Sequence, residues 1–205
     1  MKHITEKALI ALAVLALIPF TIFSQSINES FSDGDFTSGT VWSGDAASWE
    51  VAANSTAASG ATGSNTLHLN VPTGGGTQHL STPFSNWQDI QTWSFFIGRR
   101  LQAFTSENQM EIWLYANEAD LESATVDGYR LLIGDSGGDD DIFFETITDG
   151  AMANQVSLAS IPNALTDIGL SVKVTRDQDG LWTLFTSAIP VANGTGNTAD
   201  LDPLV

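Results

Sequence analysis

The densest cluster of oxygen ligands in the chain is the run Asp135-Ser136-Gly137-Gly138-Asp139-Asp140-Asp141. Calcium is a hard cation that takes roughly six to eight oxygens, commonly from clustered aspartates and loop carbonyls. Asp135, Asp139, Asp140 and Asp141 are therefore the candidate calcium ligands. The spacing lacks the acidic order and closing Glu of an EF-hand loop, and Asp and Gly also serve turn geometry. A solvated hairpin loop explains the same run, and no metal is assigned to it. Asp33, Asp35 and Asp45 form a second, looser acidic loop.

The other residues with chemical potential are aromatic. In Glu111-Ile112-Trp113-Leu114-Tyr115-Ala116, strict alternation puts Glu111, Trp113 and Tyr115 on one strand face and Ile112 and Leu114 on the other. Exposed aromatic rings on a sheet face stack on sugar rings. Trp113 and Tyr115 are thus the candidate ligand-binding residues if that face is open, and core residues if a second sheet covers it. Trp93 and Trp182 lie at strand positions that read as core. Of the histidines His3, His68 and His79, none is placed for a catalytic triad: His3 lies in the N-terminal segment, His68 on the polar face of a strand and His79 near a glycine-rich turn. Two separated histidines without cysteine make no zinc site.

Composition narrows the field. The chain has 205 residues, no cysteine, 7 Lys/Arg against 24 Asp/Glu and a net charge of −17. Nucleic-acid binding requires Lys/Arg to neutralise phosphates, and here these are scarce and scattered. An anionic membrane surface is disfavoured for the same reason. Disulfides, thiolate metal sites and cysteine nucleophiles are excluded outright. A hydrophobic content of 42% is enough to build a core.

Residues 1–24 read as a secretory signal peptide. Lys2 and Lys7 precede an apolar run, Ala8–Phe23, which ends in polar Ser24-Gln25-Ser26. A membrane-spanning helix needs roughly 20 apolar residues, and this run is shorter and carries Pro19. Cleavage before Gln25 removes Lys2, Lys7 and Glu6, so 5 basic and 23 acidic residues remain, a net of −18. The mature chain, 25–205, is then secreted or at the cell surface, without a membrane segment, and holds together without disulfides.

That mature chain reads as all-β. Period-two alternation marks strands at 66–71, 92–97, 111–116 and 168–175. Further strands are expected at 48–52, 129–133, 142–147 and 181–187. Turn signals separate them, and Asp177-Gln178-Asp179-Gly180 joins two strands as a hairpin. The best helical candidate, Asn117–Ala124, is at most a turn or two. Many short strands without helices argue for a two-sheet antiparallel sandwich or jelly roll. Residues 52–63 read as a flexible loop between strands.

Several segments together carry a family resemblance. Phe31-Ser32-Asp33-Gly34-Asp35-Phe36, Trp42-Ser43-Gly44-Asp45 and Trp49-Glu50-Val51 resemble the opening of secreted modules from Bacteroidetes-type bacteria. Leu80–Phe84, Trp93–Ile97, Gly128–Gly134, Val172–Asp177 and Gly180–Trp182 fit the later strands of that pattern. These modules are similar to concanavalin A-like lectin/glucanase jelly rolls, and the resemblance spans most of residues 27–187. It implies a fold of two antiparallel sheets face to face and a place at the front of a larger surface protein. Such a jelly roll returns a last strand to pair with its first. Here Ile189–Ala192 is only a weak strand and 195–205 is turn-like, so the domain is expected to be truncated at its C-terminus.

The glucanases of this fold set their acids on one strand as Glu-x-Asp-x-x-Glu. At Glu111, Trp113 and Ala116 stand where the second and third acids belong, so the catalytic pattern is absent. The expectation is a non-catalytic, lectin-like module whose partner is an extracellular glycan or a cell-surface protein. Two rivals are a polysaccharide-active enzyme with its chemistry beyond Val205 and a purely structural interaction module.

Overall fold

A computed structural model describes residues 27–53, 65–70, 75–84, 87, 89–99, 108–135, 139–161, 168–186 and 202–203. The expected signal peptide, the loop centre at 54–64, the glycines at 137–138 and the segment 187–201 lie outside the described residues.

The described chain is all-β and antiparallel, with a single 3₁₀ turn at Ala46–Ser48. Two short pairs form first. Ser43–Gly44 (β1) pairs with Leu80–Ser81 (β4), and Trp49–Ala53 (β2) pairs with Asn65–Leu69 (β3). Two four-stranded sheets follow. One is a meander of Met110–Ala116 (β6), Gly128–Ile133 (β7), Asp140–Thr148 (β8) and Ala151–Ile161 (β9). The other runs in the order β12-β11-β10-β5, from Asp202–Pro203 (β12), Trp182–Thr186 (β11), Ile168–Arg176 (β10) and Gln91–Arg99 (β5). The chain leaves the second sheet after β5, builds the meander, and returns so that β10 lies beside β5 from Ile168↔Arg99 to Arg176↔Gln91.

Alternation explains how these strands make a core. Ile97 of β5, Leu170, Val172 and Val174 of β10, and Leu184 of β11 point inward from one sheet. Leu114, Leu131, Ile133 and Ile142 meet them from the other. The β-branched residues suit a pleated surface buried on one side. Trp93 and Trp182 pack against this core and stack on each other at 5.3 Å. The result is a β-sandwich-like architecture, as the strand pattern predicts.

Local turn chemistry is equally regular. In the Asp177–Gly180 hairpin, Asp177 Oδ1 accepts from the backbone N–H groups of Asp179 and Leu181, both at 2.9 Å, and Gly180 supplies φ +82°. Segment 117–124 differs from the sequence expectation. It forms bends and turns, and there is no α-helix among the described residues. The turn is fixed by side chains: Asp127 N–H donates to Asn117 Oδ1 and Thr125 Oγ1 to Glu118 Oε1, both at 2.7 Å. These residues compete with the backbone for hydrogen bonds and disfavour a helix.

One further strand was not expected at all. β9 is 11 residues long, yet its sequence Ala-Met-Ala-Asn-Gln-Val-Ser-Leu-Ala-Ser-Ile shows little alternation. Two register shifts against β8 explain this, one between Ile142 and Phe143 and one between Thr146 and Ile147. Each extra residue resets the period-two pattern that identifies a strand.

Candidate functional site

The site is built on the outer face of the β6–β9 meander. Residues Trp113, Arg130, Glu145 and Gln155 stand directly opposite one another on successive strands. Side chains in such a row lie close enough to interact across the sheet, and all four do. Arg130 Nε donates to Glu145 Oε2 at 2.6 Å, and Gln155 Nε2 donates to Glu145 Oε1 at 2.7 Å. Arg130 Nη1 reaches Glu111 Oε2, one position along β6 on the same face, at 2.6 Å. The Trp113 indole N–H donates to that same oxygen at 3.1 Å, and the Arg130 guanidinium lies 5.4 Å from the Trp113 ring centroid.

Charge and burial set the roles. Glu145 is only 2% exposed. A carboxylate this deep is tolerated when it is paired and hydrogen-bonded, and both its oxygens are. Arg130 is one of the five basic residues outside segment 1–24, and it bridges two acids. The cluster of Glu111, Arg130 and Glu145 therefore carries one formal negative charge in excess. Glu111 and Gln155 are exposed at the two ends of the network, and Trp113 is half-buried. The arrangement presents an aromatic ring flanked by fixed hydrogen-bonding groups. It leaves no free pair of carboxyl groups, because a guanidinium sits between the two glutamates.

A β-bulge decides which aromatic reaches this face. Register runs without interruption from Met110↔Ile133 to Trp113↔Arg130, then skips Leu114 and resumes at Tyr115↔Tyr129. The extra residue inverts the alternation. Tyr115 therefore does not share a face with Trp113 and Glu111, as strict period two predicts. It turns inward, where its ring lies 4.7 Å from Trp87. Trp87 in turn joins Trp93, Tyr129 and Trp182, and Phe144 completes a six-ring cluster between the sheets. Of the two β6 aromatics, Trp113 is the one left outside. Gly128 makes room for it: a Cβ at this position would collide with the Tyr115 carbonyl oxygen and fall 3.0 Å from Trp113 Cζ3.

The acidic run behaves differently from its appearance in sequence. Asp140 and Asp141 are consecutive strand residues of β8, so they point to opposite faces. Asp140 is 2% exposed, whereas Asp141 Oδ2 accepts from Ser157 Oγ at 2.8 Å. Asp139 is exposed, and Asp135 follows the end of β7. Among the described residues no group of three or more His, Cys, Asp or Glu converges as a metal site requires.

The remaining candidates make local structure. Asp35 Oδ1 accepts from both the backbone N–H and the hydroxyl of Thr37 at 2.7 Å. These bonds, the hydroxyl first, hold the Asp35 carboxyl down at about 2. In Thr37→Val the hydroxyl is gone, so the Asp35 carboxyl is expected to rise toward 3.8 in a pH titration followed by NMR. The sign follows from a depressed folded-state value. Whatever this turn gains from the ionised carboxylate is complete above the unfolded value and is lost as pH falls from there through about 2. Asp45 Oδ2 accepts from the His79 backbone N–H at 2.9 Å and lies 3.2 Å from His79 Nδ1, fastening β1 to β4. His68 Nε2 pairs with Thr66 Oγ1 at 2.7 Å.

Sequence inspection singled out Trp113 and missed its partners Arg130, Glu145 and Gln155. A signal was available in part: an arginine in an acidic chain, on a strand reading Tyr-Arg-Leu-Leu-Ile, needs an acidic neighbour. The register that supplies Glu145 across β7 and β8 is not written in either strand alone.

In comparison with known proteins, no family model, no curated protein and no solved structure matches the chain. No helix among the described residues is long and apolar enough to cross a membrane.

Proposed function

We propose that the chain is a secreted, non-catalytic lectin-like module that binds an extracellular glycan, or a glycan on a cell-surface protein, through the outer face around Trp113. The reading takes the sandwich-like sheets as a jelly roll of the concanavalin A-like kind and residues 1–24 as a signal peptide. The observation that carries it is the in-register row Trp113–Arg130–Glu145–Gln155 with Glu111 beside it. Sugar recognition needs an apolar aromatic surface for the C–H face of a ring and rigid polar groups for its hydroxyls. Trp113 supplies the first; Glu111 and Gln155 supply the second. The Arg130 pairings hold them in place before any ligand arrives, which lowers the ordering cost of binding.

Charge narrows the ligand class. A chain at −17 with an acid in excess at the site repels sulfated or uronate-rich glycans. Neutral oligosaccharides suit it better. Binding is also favoured over hydrolysis by the state of the two glutamates. Glu145 is buried with both oxygens engaged, and Glu111 Oε2 is shared by Arg130 and Trp113.

Screening the purified protein on an array of neutral and acidic glycans tests the proposal. The expected result is binding to neutral oligosaccharides, weakened on the order of 30-fold in Trp113→Ala, the effect of losing an interface anchor worth about 2 kcal/mol. No binding to any glycan would instead favour a purely structural interaction module. Reducing-sugar release from β-glucans would overturn the non-catalytic assignment.

A further inference from the structure

The outer edge of β9 is the most unusual surface of the fold. β9 is the longest strand, 11 residues, and it ends the meander; among the described residues nothing pairs with its far side. Residues 151–157 are all exposed, including Met152 at 52% and Val156 at 55%. An edge of this length presents a row of backbone N–H and C=O groups ready for another strand. Monomeric proteins blunt such edges with charge, proline, shortness or bulges. From Ala151 to Ile161 there is no Lys, Arg, Asp, Glu, Pro or Gly. Bulges are present, but the two register shifts lie at either end and leave Asn154–Ser157 regular, paired with Thr146–Phe143.

We propose that this edge pairs with the same edge of a second copy, antiparallel about a two-fold axis near Val156, joining two meanders into one eight-stranded sheet. The charge distribution chooses the occupant. Two chains of net charge −17 repel each other through most surfaces, and like charges opposed across a strand pair are destabilising. The β9 strip carries no charge, so two copies meet there without opposing acids. A basic partner finds no anchoring carboxylate on it. The pairing is isologous and uses both β9 edges, so it closes at two copies. It also sets two Trp113–Gln155 rows on one continuous face, end to end.

Sedimentation of the purified protein across a concentration series tests this, with Val156→Lys as the disrupting variant. The wild type is expected to form a dimer that tightens as salt rises from about 0.05 M to about 0.5 M, because screening relieves the repulsion between acidic copies. Val156→Lys is expected to remain monomeric with an unchanged far-UV spectrum. The native chain has no cysteine, so an introduced one reports without background. Val156→Cys is expected to form a covalent dimer on mild oxidation, since opposed residues in an antiparallel pair sit at disulfide distance. Leu181→Cys, more exposed than Val156 but on a hairpin, is expected to form none. A wild type that stays monomeric at every concentration and salt overturns the proposal. So does a dimer that survives Val156→Lys with no Val156→Cys cross-link, and so does open-ended assembly in place of a dimer.

Discussion

Replacing Arg130 with methionine is expected to cost about 3–5 kcal/mol, the cost of breaking a buried ion pair from one side. The reason is Glu145, which is 2% exposed and loses the donor to its Oε2, keeping only Gln155 at Oε1. Glu111 loses its partner too, but it is exposed and water replaces the arginine there. For a chain of this length the loss corresponds to a fall in melting temperature of roughly 6–20 °C, measurable by circular dichroism. The double variant Arg130→Met/Glu145→Leu separates pairing from packing. It is expected to regain most of the loss, because apolar residues of similar volume can replace a buried pair. Its glycan binding is expected to stay weak, since the guanidinium that ties Glu111 and Trp113 to the rest of the row is gone. A single variant within 1 kcal/mol of wild type would mean that the row is a surface ion pair of the usual small value.

Gly128→Val is the second large effect, and it acts on the backbone. A Cβ at this position collides with the Tyr115 carbonyl oxygen, which belongs to the partner strand and cannot rotate away. The β6–β7 pair must open at the bulge, or Trp113 must leave the surface of Gly128. Forced overpacking of this kind costs about 1–3 kcal/mol and occasionally more. The two outcomes differ in their readouts: opening exposes Tyr115 and Trp87 to solvent quenchers, whereas displacement of Trp113 lowers glycan binding in a protein of near-normal stability. Gly128→Ala is expected to show the same effects at smaller size.

The bulge at Leu114 also marks where the sequence stops being informative. Strands β5 and β10 are legible because residues such as Trp93, Phe95 and Ile97 recur at every second position, and β6 is legible in the same way as far as Leu114. The Asp177–Gly180 hairpin is legible because Asp and Gly have one physical job there. Period two fails wherever a residue is inserted. It misassigns Tyr115, which turns inward past Leu114, and it conceals β9, whose pattern is reset twice. Asp139, Asp140 and Asp141 mislead for a related reason: adjacency in sequence reads as a ligand cluster, but the pleat sends Asp140 and Asp141 to opposite faces. Of the site, Trp113 is legible by its type and position. Arg130, Glu145 and Gln155 join it only through the register of four strands, which depends on contacts between residues far apart in the chain.

The most direct measurement of the central claim is the set of indole N–H signals in a ¹H–¹⁵N spectrum during titration with a neutral oligosaccharide. The chain has six tryptophans, and Trp113→Phe assigns the one that matters. A ligand seated on the outer face is expected to shift the Trp113 signal and leave those of Trp93 and Trp182, packed between the sheets, in place. Shifts confined to Trp87, Trp93 and Trp182, with Trp113 unmoved, would contradict the account and place the ligand between the sheets.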